Sequence, residues 1–172
     1  MGRTPIREAL KRLEAEKLVV VSPHRGTFVS DVTISDLAQI QEIRLILDTF
    51  CVHLAVERIT PEELTDMHKL VDELRISTQN KNQKTLMGLD HRFHQLLARS
   101  AHNKFLETEI EMFYNLSLRI WHMYMHQIKP TDLMLEAFSD ILNAIESKDV
   151  VAAEKAMQQH IRQFGDSVKQ YL

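Results

Sequence analysis

Apolar residues recur at helical spacing along most of this chain, interrupted at a few polar points. Over 4–16, Ile6, Ala9, Leu10 and Leu13 make one stripe, Thr4 can cap it and Pro5 suits the first turn, which predicts a short helix. Two β-prone runs, 18–21 and 27–29, flank Ser22-Pro23-His24-Arg25-Gly26 and predict a small hairpin with Arg25 near its tip. From Asp31 the pattern is helical to the end. Thr33-Ile34-Ser35-Asp36 opens a helix to about residue 58, with Leu37, Ile40, Ile43, Leu47, Phe50, Cys51 and Leu54 facing inward. Thr60-Pro61-Glu62-Glu63 is a capping box for a helix to about 79, and Asn80-Lys81-Asn82 is a polar break before a central helix to about 101. Asn103 caps a helix over 104–128 bearing Phe105, Leu106, Ile110, Phe113, Leu116, Ile120, Trp121 and Tyr124. Pro130-Thr131 precedes a fifth helix over about 132–147, and Asp149 caps a sixth that nearly reaches Leu172. The fold expected is all-α, an antiparallel six-helix bundle preceded by a helix and a hairpin.

The central helix carries the first chemistry. Leu86, Leu89, Asp90, Phe93, His94 and Leu97 fall on one broad face, so an acid and an imidazole four residues apart point into the core. A carboxylate taken out of water needs a partner or a cation. In the last helix Ala153, Ala156, Met157, His160, Phe164 and Val168 share a face, which makes His160 the natural partner. Imidazole and carboxylate are ligands that borderline divalent metals prefer. The plainer alternatives are an Asp–His pair on the helix surface and a hydrogen-bonded core histidine.

Composition narrows the class. Of 172 residues 44% are hydrophobic and 26% charged, as in soluble globular proteins, and low aromatic, glycine and proline content favours helix over sheet. The single cysteine, Cys51, sits in an apolar run, so no intramolecular disulfide forms and a cytoplasmic location is expected. No apolar run is long enough to span a bilayer. Residues 1–30 hold six Lys/Arg against three Glu while the whole chain is −3, so a basic head precedes an acidic body, and only the head suits a polyanion.

At the head, Arg3-Thr4-Pro5-Ile6-Arg7-Glu8-Ala9-Leu10, then Leu13-Glu14, then Arg25-Gly26-Thr27-Phe28-Val29, resemble the recognition helix and wing of a GntR-type winged helix-turn-helix regulator. The resemblance implies that Arg3 and Arg7 reach DNA, with Thr4 and the wing tip His24-Arg25-Gly26 near phosphate or minor groove. Arginine forks suit guanine edges and a helix N-terminus suits an anion. The family's head starts further upstream, with helices packed under the recognition helix. Here Gly2 stands where a serine is usual and Lys17 where a glycine ends the helix. Residues 1–30 are thus a partial winged helix, and the chain as given is expected to bind operator DNA weakly or not at all, unlike a full-length parent.

Residues 31–172 resemble the FCD-type ligand-binding domain of the FadR branch through Glu42-x-Arg44-x-x-x-Asp48, Asp90-x-x-x-His94, Asn103 and Met157-x-x-His160-Ile161. The resemblance implies an effector-binding and dimerisation domain and a divalent metal (zinc, nickel or similar) on Asp90, His94, His160 and one more histidine. That last position falls on Phe138, which cannot ligate. Two outcomes stay open: a three-ligand metal site, or a metal-free pocket filled by Phe138. His122 and His126 could substitute, while His91 and His102 read as surface residues. Arg44 would grip an anionic effector such as a small organic acid, unless it only pairs with Asp48; Arg119 and Asn103 are weaker candidates. No catalytic residues are legible, and the expectation is a homodimeric bacterial regulator rather than an enzyme. The alternatives are a helical-bundle metalloenzyme using Asp90, His94 and His160, or a purely structural oligomerisation bundle.

Overall fold

The computed structural model describes residues 2–31, 33–80, 83–124 and 133–169. Its head consists of α1 (Arg3–Ala15), β1 (Val19–Ser22) and β2 (Gly26–Val29). The strands pair antiparallel from Val19↔Val29 to Ser22↔Gly26, which puts Pro23, His24 and Arg25 in the loop. Lys17 adopts φ 60° and lets α1 end in a Schellman turn, with Leu18 N–H donating to Leu13 O and Lys17 N–H to Glu14 O. A lysine thus takes the left-handed place that glycine fills more easily.

Six helices follow: α2 (Ile34–Arg58), α3 (Pro61–Asn80), α4 (Gln83–Ser100), α5 (Lys104–Tyr124), α6 (Leu133–Glu146) and α7 (Val150–Lys169). Their starts are capped as the sequence indicates. Thr33 and Asp36 cap each other, as do Thr60 and Glu63; the Asn103 carboxamide oxygen accepts from the N–H groups of Phe105 and Leu106, and Asp149 accepts from Ala152 N–H. The expected helix over 125–128 and the Pro130-Thr131 break lie outside the described residues.

The long α2 packs along α7 and α5, α6 lies against α7, and α3 against α4 and α6. The main core gathers Phe93, Leu97, Phe138, Ile141, Ile145, Met157 and Ile161 with inward residues of α2 and α3. A second, smaller cluster of Leu37, Ile40, Leu116, Ile120 and Trp121 closes the end of the bundle next to the head. The α2–α7 seam is marked by Gln41, whose buried amide donates to Ile161 O at 3.2 Å, directly over Gly165.

Three expected core positions are corrected. Ile43 and Phe50 are 40% and 49% exposed and, with Ile46 at 68%, form an outward apolar stripe on α2. That helix is apolar on nearly every side, so periodicity alone does not say which face is inside. Phe105 is exposed on the outward side of the first turn of α5, whose Leu106 enters the core, and Lys104 Nζ sits 5.1 Å from its ring.

Candidate functional site

Asp90 and His94 occupy successive turns of α4 on its buried face, and α7 brings His160 against them. His94 Nε2 lies 3.0 Å from His160 Nε2, and His160 Nε2 lies 3.9 Å from Asp90 Oδ1. From α5, the Tyr114 hydroxyl donates to Asp90 Oδ2 at 2.7 Å. From α6, Phe138 stacks on Phe93 with centroids 3.8 Å apart and meets both imidazoles edge-on. Four helices therefore meet at one polar point inside the core.

The surroundings set the charge states. Burial pushes the Asp90 carboxyl up to about 6, against the Tyr114 hydrogen bond and the Arg44 charge that favour ionisation. Burial, with Arg44 adding to it, pushes His160 down to about 3. His94 is held well below the usual imidazole range by burial, Arg44 and His160. At neutral pH the set is one carboxylate and two neutral imidazoles, the protonation state in which these groups ligate metals.

The donor set passes a geometric test. Ligand atoms of Asp90, His94 and His160 all lie within 4.8 Å of one another. Ligands about 2.1 Å from one ion stand roughly 3–3.5 Å apart, close to the spacing of the two imidazole nitrogens and slightly less than the Asp90–His160 spacing. An ion would need both Nε2 lone pairs, so each imidazole would keep its proton on Nδ1.

Arg44 lies on the same side of the core. Its Nε donates to Asp48 Oδ2 at 2.9 Å, its guanidinium carbon stands 5.4 Å from the centre of the Tyr114 ring, and its buried Nη2 has no hydrogen-bond partner. A buried guanidinium N–H without a partner costs free energy that an acceptor would relieve.

Comparison with known families settles the relationship. Residues 39–163 match the FCD domain, and residues 1–29 match the gntR family of bacterial regulatory proteins. The chain belongs to the FCD family. Among curated relatives it is 27% identical over 170 residues to the HTH-type transcriptional repressor RspR of Escherichia coli, covering 99% of this chain and 75% of that protein. It is 26% identical over 167 residues to the gluconate operon transcriptional repressor of Bacillus licheniformis, covering 93% of this chain and 68% of that protein. The solved structure of E. coli McbR/YncC shares the fold with a TM-score of 0.87 at 24% identity, over 98% of this chain and 85% of that one.

Several expected site residues fall elsewhere in this FCD protein. Asn103 is occupied as the cap of α5, about 16 Å along that helix from Tyr114, so it does not line the buried set. Arg119 points to the head and donates to the carbonyls of Lys17 and Ser30, not into the bundle. His91, expected at the surface, is part-buried, bonded to Glu111 at 2.9 Å and stacked on Tyr114 at 4.7 Å. His102 is exposed and bonds Glu63. His122 is exposed, and His126 lies outside the described residues. In the head, Thr4, Arg7, Arg25 and Gly26 are all exposed; Arg3 opens α1, its side chain outside the described ones. Tyr114 is the site residue that sequence reading missed, since a tyrosine between Phe113 and Leu116 looks like packing.

Proposed function

We propose that this chain is the effector-sensing and dimer-forming part of a bacterial transcriptional regulator, residues 1–30 contributing part of a winged helix-turn-helix and 31–172 the sensing bundle. The observation that carries this is the buried junction of Asp90, His94 and His160 beside an Arg44 whose Nη2 is unpartnered. A small organic acid is the effector class, its carboxylate received by Arg44. The gluconate repressor among the relatives supports a sugar-acid type of ligand.

Asp90, His94 and His160 would hold a divalent metal, which when bound supplies a positive anchor for an anionic effector. The residues around it do the remainder: Tyr114 orients Asp90, while Phe93 and Phe138 keep that side of the site dry. A metal-free site is the second reading, favoured by the direct His94–His160 hydrogen bond and by the fully buried Phe138.

In the head, Arg7, Thr4, Arg25 and Gly26, with Arg3, are the proposed DNA contacts. Pairing of two copies through the α2 stripe Ile43, Ile46 and Phe50 suits a palindromic operator. The stripe is flanked by Gln39 and His53, so an antiparallel second copy would set apolar against apolar. Among the described residues no helix is long and apolar enough to cross a membrane, and the proposed location is the cytoplasm.

Zinc or nickel titrated into chelator-stripped protein tests the metal. An ion at 100 times its Kd should add about 2.7 kcal/mol of stability, and His160→Ala should remove the response. No stabilisation of the wild type by either ion would leave the metal-free reading, to be pursued with organic acids alone.

A further inference from the structure

We infer that Arg119 is a latch that carries the state of the buried site to the head; this rests on the reading of that site as the effector site. Lys17 and Ser30 stand at the two ends of the hairpin base, joined by Ser30 N–H donating to Leu18 O at 3.0 Å. Arg119 gathers both ends: Nη1 donates to Lys17 O at 3.4 Å and Nη2 to Ser30 O. A planar guanidinium, with five N–H donors in a fixed fork, is well suited to bond two separate carbonyls at once. Only residues 31–33 then separate the hairpin from α2.

The other end of the connection lies on the same helix. Tyr114, bonded to Asp90, precedes Arg119 by five residues, about 7.5 Å along α5 and about 140° around it. The helix therefore shows one side to the site and the opposite side to the head. On either side of Arg119, Leu116 before it and Ile120 and Trp121 after it pack with Leu37 and Ile40 in the small cluster, separate from the main core. This end of α5 can turn without unpacking Phe93, Phe138 and Met157. A change at Asp90 that pulls or frees the Tyr114 hydroxyl turns α5, and Arg119 delivers the turn to both strands of the hairpin together. The coupling requires two arrangements of α5, one with the Tyr114 hydroxyl on Asp90 and one without it, as its bistable element.

Hydrogen exchange on the whole chelator-stripped chain tests this, comparing wild type, Arg119→Ala and Arg119→Lys, each with and without zinc alone, with zinc binding followed separately by calorimetry. Zinc should alter exchange of the wild-type amides over 17–31. Arg119→Ala should exchange there about ten-fold faster without zinc, the order set by losing a charge-assisted hydrogen bond, and should no longer respond to zinc. Its zinc affinity should match the wild type, and Arg119→Lys should keep part of the response. Zinc binding without any change over 17–31 in the wild type would overturn the latch, as would an Arg119→Ala head that exchanges like the wild type. Absence of calorimetric binding would instead bring down the metal-site reading, and the coupling with it.

Discussion

Tyr114→Phe isolates the electrostatics of the site with the loss of one atom. The ring remains, so its stack on His91 and its contact with Arg44 survive. What disappears is the donor to Asp90 Oδ2, 2.7 Å away and sealed from water. Such a bond is worth about 1.5–3 kcal/mol to a buried charge and about 0.5–1.5 to a neutral group. Asp90 is pushed up to about 6, so in the folded protein it is charged at pH 8 and protonated at pH 5. In the unfolded chain, with a carboxyl near 3.9, it is charged at both. Burial of this acid therefore weighs against folding increasingly as pH rises from about 4 to 6, and the tyrosine offsets part of that weight once the acid is ionised. Without metal the variant should lose about 2–3 kcal/mol at pH 8 and about 1 kcal/mol at pH 5. At pH 8 that is a drop of roughly 4–10 °C in Tm for a chain of this size. Urea unfolding followed by circular dichroism at the two pH values, in chelator, reads it directly. An equal loss at both, or one under about 0.5 kcal/mol at pH 8, would mean that the hydroxyl does not stabilise the charged acid.

Other expectations concern charge and assembly. Arg44→Met alone leaves Asp48, 2% exposed, as an unpaired buried acid and should cost about 3–5 kcal/mol. Combined with Asp48→Leu it should recover most of that stability yet fail to shift in melting temperature with organic acids; a double variant that still responds would take Arg44 out of the site. Ile46→Glu places a charge in the middle of the α2 stripe, and light scattering should report dimers for the wild type and monomers for the variant. A variant that stays dimeric would put the interface elsewhere.

The helices were legible because their ends carry chemistry: Thr33-x-x-Asp36, Thr60-x-x-Glu63, Asn103 and Asp149 each declare a start through a local hydrogen bond. Asp90 and His94 stood out as polar residues inside an apolar stripe, and His160 likewise. Tyr114 did not, since its ring packs as any aromatic would and its hydroxyl finds a partner 24 residues upstream. Arg119 was conspicuous as a cation in an apolar helix, but its partners are main-chain carbonyls, which leave no trace in sequence. Arg44 was seen both as an ion-pair partner and as an anion site; the guanidinium does the first with Nε, and its buried Nη2 has no hydrogen-bond partner. Ile43 and Phe50 misled because α2 offers two greasy sides and, among the described residues, only one of them is covered.

The missing side chain at position 165 has a reach out of proportion to its size. A methyl built there would fall 1.6 Å from Gln41 Nε2, so the amide would have to swing away from Ile161 O. The amide-to-carbonyl tie between these two long rods would then be lost, leaving His53 against Glu154 at 2.8 Å further along the seam and the hydrocarbon between, which is indifferent to where along each other the rods stop. Because only four residues separate β2 from α2, any such slippage would change the height at which the reading head is carried.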